Sequence, residues 1–134
     1  MNRKKERENT FILIFEEIFS DGQDPNEIID IAVNEAEIQI TDYVKNLFLQ
    51  TITNKEEIDK TISKYCKKWT INRIPKTSLA IIRMAIAEIM FDDDISVKIT
   101  INEAVELSKK YSSKDDYKFV NGVLSSVVKE HIDG

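Results

Sequence analysis

An all-α fold is predicted by three observations. The 134 residues include only three glycines and two prolines, too few for a series of hairpin turns. Hydrophobic residues make up 42% of the chain and charged residues 32%, enough apolar material for one core wrapped in long polar-faced helices. Helix-capping signals recur ahead of the apolar runs. Residues 1–134 therefore read as a single helical domain of about seven helices.

Taken in order, the first helix runs from about Arg3 to Phe19 and ends in Ser20-Asp21-Gly22-Gln23. Asp24, Pro25 and Glu27 supply an N-cap, a proline at the first helical position and a reciprocal capping carboxylate, starting a second helix that continues to about Glu37. Thr41 caps a third helix carrying Tyr43, Val44, Leu47, Phe48 and Ile52, and Asn54 with Glu57 caps a fourth through Ile58, Ile62 and Tyr65. A break follows at Trp69–Lys76. From about Lys76 to Phe91 the chain is apolar nearly all round, which marks the central buried helix. Its Arg83 and Glu88 point in different directions, so each requires a partner on another helix. Thr100-Ile101-Asn102-Glu103 reads as a capping box for a sixth helix with Ile101, Ala104, Val105, Leu107 and Tyr111 inward, and Ser113–Asp116 as one for a seventh.

Function classes narrow quickly. No apolar run approaches the roughly 20 residues that span a bilayer, and the basic start lacks a separate apolar segment with a cleavage site, so a cytoplasmic protein without membrane contact is expected. The lone Cys66 fits a reducing compartment and reads as a small helix residue. His131, the only histidine, has no nucleophile set beside it by a motif, no Cys/His spacing suggests a metal, and no glycine loop suggests a phosphate-binding turn. Asp92–Asp94 reads as a solvated loop, because a metal loop alternates its ligands with other residues. Neither catalytic residue, metal nor cofactor is expected.

Charge is unevenly spread. The first seven residues carry Arg3, Lys4, Lys5 and Arg7 against Glu6, a net +3, so the rest of a chain of net −5 sums to −8. Such a basic tip on an acidic body contacts phosphates locally, because screening confines each charge to about 8 Å at physiological salt.

The last helix contains a glycine and an off-pattern aromatic. On a wheel of about 100° per residue with Tyr117 at zero, Val120, Val123, Leu124, Val127, Val128, His131 and Ile132 fill one arc, from about 240° through zero to about 60°. Phe119 lies just outside at about 200°, and Asp115, Lys118, Gly122 and Ser126 fall on the opposite side. A mid-helix glycine costs roughly 0.5 to 1 kcal/mol relative to alanine, so a gain elsewhere is expected. Two readings stay open. An outward ring beside a lysine can stack an unpaired RNA base, or a second helical layer covers this side and Phe119 and Gly122 are packing residues.

Residues 99–124, ITINEAVELSKKYSSKDDYKFVNGVL, closely resemble the C-terminal signature of the NusB family of bacterial transcription antitermination factors. Residues 69–89, WTINRIPKTSLAIIRMAIAEI, are similar to the family's middle segment, and RKKERENTFILIFEEIF to its arginine-rich first helix, so the resemblance spans essentially the whole chain. It implies two roughly perpendicular three-helix bundles and no enzymatic activity. It further implies binding of boxA RNA together with NusE, a small-subunit ribosomal protein, within the RNA polymerase antitermination complex on ribosomal RNA operons. Carried onto this chain, it assigns RNA contacts to Arg3, Lys4, Lys5, Arg7, Asp115, Lys118, Phe119 and Gly122. NusE contacts fall at Phe15, where well-studied members carry a tyrosine, and at Ser78, where relatives often carry an acidic residue. The wheel also sets Phe15 amid its own apolar arc, which favours packing. The lysine-rich leader offers fewer bidentate phosphate contacts than an arginine-rich one. Family members occur as monomers and homodimers. NusB-like domains also head ribosomal RNA methyltransferases, but 134 residues leave no space for a cofactor-binding domain. The alternative is a helical protein–protein adaptor without direct RNA binding.

Overall fold

The computed structural model describes residues 1–35, 38–66 and 70–133, with side chains up to His131. Seven α-helices and one short 3-10 turn account for its regular structure, and no strand occurs among the described residues. The helices are α1 (Arg3–Phe19), α2 (Pro25–Glu35), α3 (Asp42–Thr53), α4 (Lys55–Tyr65), α5 (Lys76–Phe91), α6 (Val97–Tyr111) and α7 (Asp116–Asp133). The expected tail of α2 at Glu37 and the break residue Trp69 lie outside the described residues, as does the side chain of Ile132.

Local signals set most of these ends. Asn2 opens α1 by accepting the Lys5 amide at 2.8 Å. The helix closes where Asp21 and Gly22 turn to φ of 58° and 93°, and the Gly22 amide returns to the Glu17 carbonyl at 3.2 Å. The Asp24 carboxylate accepts the Asn26 amide at 3.1 Å, and Thr41 Oγ1 accepts that of Val44 at 3.3 Å.

Two capping expectations are corrected. Asn54 does not cap α4 with its side chain; its Nδ2 donates to the Gln50 carbonyl at 2.9 Å and closes α3 instead. Helix α6 begins a turn before Thr100, at Val97, because Ser96 accepts the Lys98 amide and the Thr100 hydroxyl is drawn inward to Glu88 at 2.6 Å.

Helix α5 is the axis: every residue from Ser78 to Ile89 is buried. It packs against α1 and α3 on one side and α6 and α7 on the other, with α4 against α5 and α7 and α2 against α1 and α3. The chain thus forms two three-helix groups, α1–α3 and α5–α7, around a shared core. Both buried charges of α5 find the partners they require. Arg83 makes a two-pronged pair with Asp59 of α4, 2.8 Å on each arm. Glu88 is the centre of a four-helix hub: Arg7 of α1 at 2.9 Å, Tyr43 of α3 at 2.5 Å and Thr100 of α6 at 2.6 Å all donate to it. Burial, and then the bond to Glu88, hold the Tyr43 hydroxyl protonated far above its usual range.

On α7, Val120, Val123, Leu124 and Val127 are buried as the wheel requires. His131 departs from it. The 18 residues of α7 extend about 27 Å, beyond the core they cover, so His131 is exposed although it continues the inward arc.

Candidate nucleic-acid interface

The basic leader does not act as one unit. Arg7 shares a face with Phe11 and Ile14, within about 40° on the wheel, and is carried inward with them to 5% exposure, where its Nε lies 2.9 and 3.0 Å from the two Glu88 oxygens. A guanidinium so held reaches a phosphate only by baring a buried carboxylate, so the RNA contact expected of Arg7 gives way to a structural one. Arg3 bonds Glu6 at 3.0 Å and stacks 3.5 Å above the Tyr43 ring, with its side chain 46% exposed. Lys5 bonds Glu8 at 2.9 Å. Lys4 is exposed and makes no ion pair among the described residues.

At the other end of the site, Asp115 just ahead of α7 and Lys118 in its first turn are both exposed and only 3.7 Å apart. Phe119 is partly buried and packs against the core. Gly122 is exposed, and a Cβ placed on it would meet nothing within 4 Å. Among the described residues no element uses the bareness of that glycine. Of the two readings, a covering second layer is therefore absent at Gly122 among the described residues, while Phe119 combines packing with partial exposure.

The end of α6 joins the two regions. Lys110 reaches Glu8 of α1 at 2.5 Å, and Lys109 lies 5.0 Å over the Tyr117 ring of α7. A groove of about 320 Å³ runs between α1 and α6, lined in part by Lys4, Lys5, Glu8 and Lys110. Sequence reasoning passed over Lys109 and Lys110; the doublet, just ahead of the Lys118 turn, was its only trace.

Phe15 is half-buried, its ring centroid 6.3 Å from Phe11 and 6.2 Å from Phe19, and Tyr111 stands 5.0 Å from Phe11. These rings, with Ile12 and Thr77, line an apolar groove of about 370 Å³. Phe19, 67% exposed, forms its rim. Ser78 does not reach it. Fully buried on the all-round apolar α5, its hydroxyl faces that of Ser112 at 3.4 Å, which corrects its assignment to a partner surface; Thr77 is the α5 residue that lines the groove.

A family model described as "NusB family" matches residues 4–129. The chain belongs to the NusB family. Among its curated relatives, the transcription antitermination protein NusB of Acetivibrio thermocellus is 43% identical, with 96% of this chain and 90% of that one covered. The protein of the same name from Natranaerobius thermophilus is 35% identical over 97% and 96%. Among solved structures, T. maritima NusB superposes with a TM-score of 0.86 at 30% identity, covering 97% of this chain and 92% of the other. A chain from the crystal structure of antitermination factors NusB and NusE in complex with dsRNA gives 0.84 at 30% identity over 96% of both. NusB-family proteins are transcription antitermination factors, and this member is not an enzyme. Among the described residues no group of His, Cys, Asp and Glu could hold a metal ion, and no helix is long and apolar enough to cross a membrane.

Proposed function

We propose that this NusB-family protein binds boxA-containing RNA together with NusE and acts in the cytoplasm within the RNA polymerase antitermination complex, promoting transcription of ribosomal RNA operons. The observation that carries the reading is the outer face at the start of α7. There an open glycine, an exposed lysine and a partly buried ring lie together, the set that receives a splayed base and its phosphate. At the end of α6, Lys110 reaches Glu8 and lines the α1–α6 groove with Lys4 and Lys5 of the leader. Arg3, Lys4, Lys5, Asp115, Lys118, Phe119 and Gly122 are the proposed RNA contacts, and the NusB–NusE–dsRNA structure of a relative supports the choice of ligands. The Phe11–Phe15–Phe19–Tyr111 groove is the proposed NusE surface, with Phe15 rather than Ser78 contributing.

A fluorescence titration with a boxA-like and a scrambled RNA, each with and without purified NusE, tests this. Binding should favour the boxA-like RNA, strengthen with NusE and weaken steeply with salt. Lys4→Gln should flatten the salt slope by about 0.7, the value of one single-strand phosphate contact. RNA binding absent in all arms, with NusE still captured, would leave the aromatic groove as the functional surface and establish the adaptor reading. Sedimentation of the same samples reports whether the free protein is a homodimer.

A further inference from the structure

The lysines of the groove are not idle. Glu8 sits between two helices and takes three donors at once: Lys5 Nζ of α1 at 2.9 Å, Lys110 Nζ of α6 at 2.5 Å and the Tyr111 hydroxyl at 2.8 Å. A carboxylate held by two ammonium groups and a phenol occupies the kind of seat a phosphodiester oxygen takes on an RNA-binding surface. Its donors remain mobile enough to change partner, since the side chains of Lys5 and Lys110 are 57% and 62% exposed while that of Glu8 is only 11% exposed. The whole groove is balanced in the same sense, lined by Lys4, Lys5 and Lys110 and by Glu8, Glu103 and Glu106. Left so, it exerts little net pull on a polyanion.

Resting on the RNA-binding reading above, we infer that Lys5, Lys110 and Tyr111 form a phosphate subsite for the backbone of single-stranded RNA, which the Glu8 carboxylate fills in the free protein. An incoming phosphate takes the two amines from Glu8 rather than from water. The exchange swaps one anion for another, so this subsite adds little affinity for any RNA whose other contacts do not hold the backbone over the groove. Glu8 thereby lowers indiscriminate binding. The carboxyl is held down to about 2, chiefly by the Lys110 bond and then by Lys5, so it is charged at every working pH and the seat is filled.

The test uses the full chain and a fluorescent single-stranded RNA titrated across a salt series, comparing wild type, Glu8→Gln, Lys110→Gln and the double variant. Freed of its internal partner, the pair of amines should bind scrambled RNA about three- to tenfold more tightly in Glu8→Gln, and the salt slope should steepen by about 0.7 for each amine released. The added Lys110→Gln should remove about half of that steepening, which a merely structural effect of Glu8→Gln would not produce. Thermal unfolding of each variant keeps loss of fold apart from loss of contact. If wild type binds RNA and a folded Glu8→Gln protein shows no gain and an unchanged slope, the subsite is overturned while the RNA-binding reading stands. If Glu8→Gln does not fold, Glu8→Asp decides instead, since its shorter side chain draws the carboxylate back from both amines: tighter scrambled-RNA binding with a steeper slope supports the subsite, and no change in either overturns it. RNA binding absent from every variant overturns both.

Discussion

Arg7 and Glu8 are neighbours in sequence and belong to different worlds. Arg7 turns inward to the buried Glu88, where α1, α3, α5 and α6 meet, while Glu8 turns to the rim, where lysines of α1 and α6 hold it at the edge of solvent. Both are acid–base pairs of near-ideal distance, yet their physics differs. Around Glu88 water is excluded, so each partner's charge is supportable only while the other stays in place. Around Glu8 water and salt compete for every partner, so the same chemistry is exchangeable. A cluster of charge at the start of a helix is thus two devices, one that fixes the first helix and one that meets ligands.

The sharpest way to break this contrast is Glu88→Ala. It leaves the Arg7 charge buried and unpaired and should cost about 3 to 5 kcal/mol of stability in urea unfolding; a loss below about 1 kcal/mol would place Arg7 in the same exchangeable class as Lys5. Phe119→Ala comes next and tests the outer region. It should weaken RNA binding by about 1 to 3 kcal/mol with the helical circular dichroism retained, whereas unfolding would mark the ring as interior. Gly122→Ala separates the two regions further. A methyl group there enters open space, so stability should rise by roughly 0.5 to 1 kcal/mol while RNA affinity falls if the bare backbone receives the ligand; equal or tighter binding would exclude close approach at Gly122. The smallest effect is the acid titration of Glu8. Its folded carboxyl lies near 2 against an ordinary value of 4.5, so it contributes stability fully above about pH 4.5 and loses that contribution as pH falls toward 2. Denaturant unfolding of wild type and Glu8→Gln should converge over that window, and carboxyl NMR should report the low midpoint directly.

Much of the fold was legible. The ends of α1 and α5 follow from local residues alone, and the apolar wrap of α5 correctly demanded outside partners for Arg83 and Glu88. Thr100 misled because its side chain, read locally as a cap, is claimed by Glu88 twelve residues away, while Ser96 serves the same role one turn earlier. His131 misled because a wheel records direction but not how far the core extends. The outward placing of Lys118 and Gly122 was readable from the wheel. The inward placing of Arg7 was readable too, from its spacing to Phe11 and Ile14, although the surrounding run reads as a single block of charge. Ser78 shows the converse: an all-round apolar helix leaves few positions outward, which argued against a surface role. The seat around Glu8 had no local signature, since Lys110 stands 102 positions away and only the packing of α6 on α1 brings it near.

The hub at Glu88 has a consequence for how the chain finds its native arrangement. Helices built from Ile, Leu and Ala can slide along one another by a turn and still cover oil with oil, at modest loss. A slide of α1 past α5 withdraws Arg7 and leaves two naked charges sealed from water, and a slide of α3 or α6 strips a hydrogen bond from the buried carboxylate, in each case a larger penalty. Four segments distant in sequence are thereby held to one mutual alignment by a single side chain.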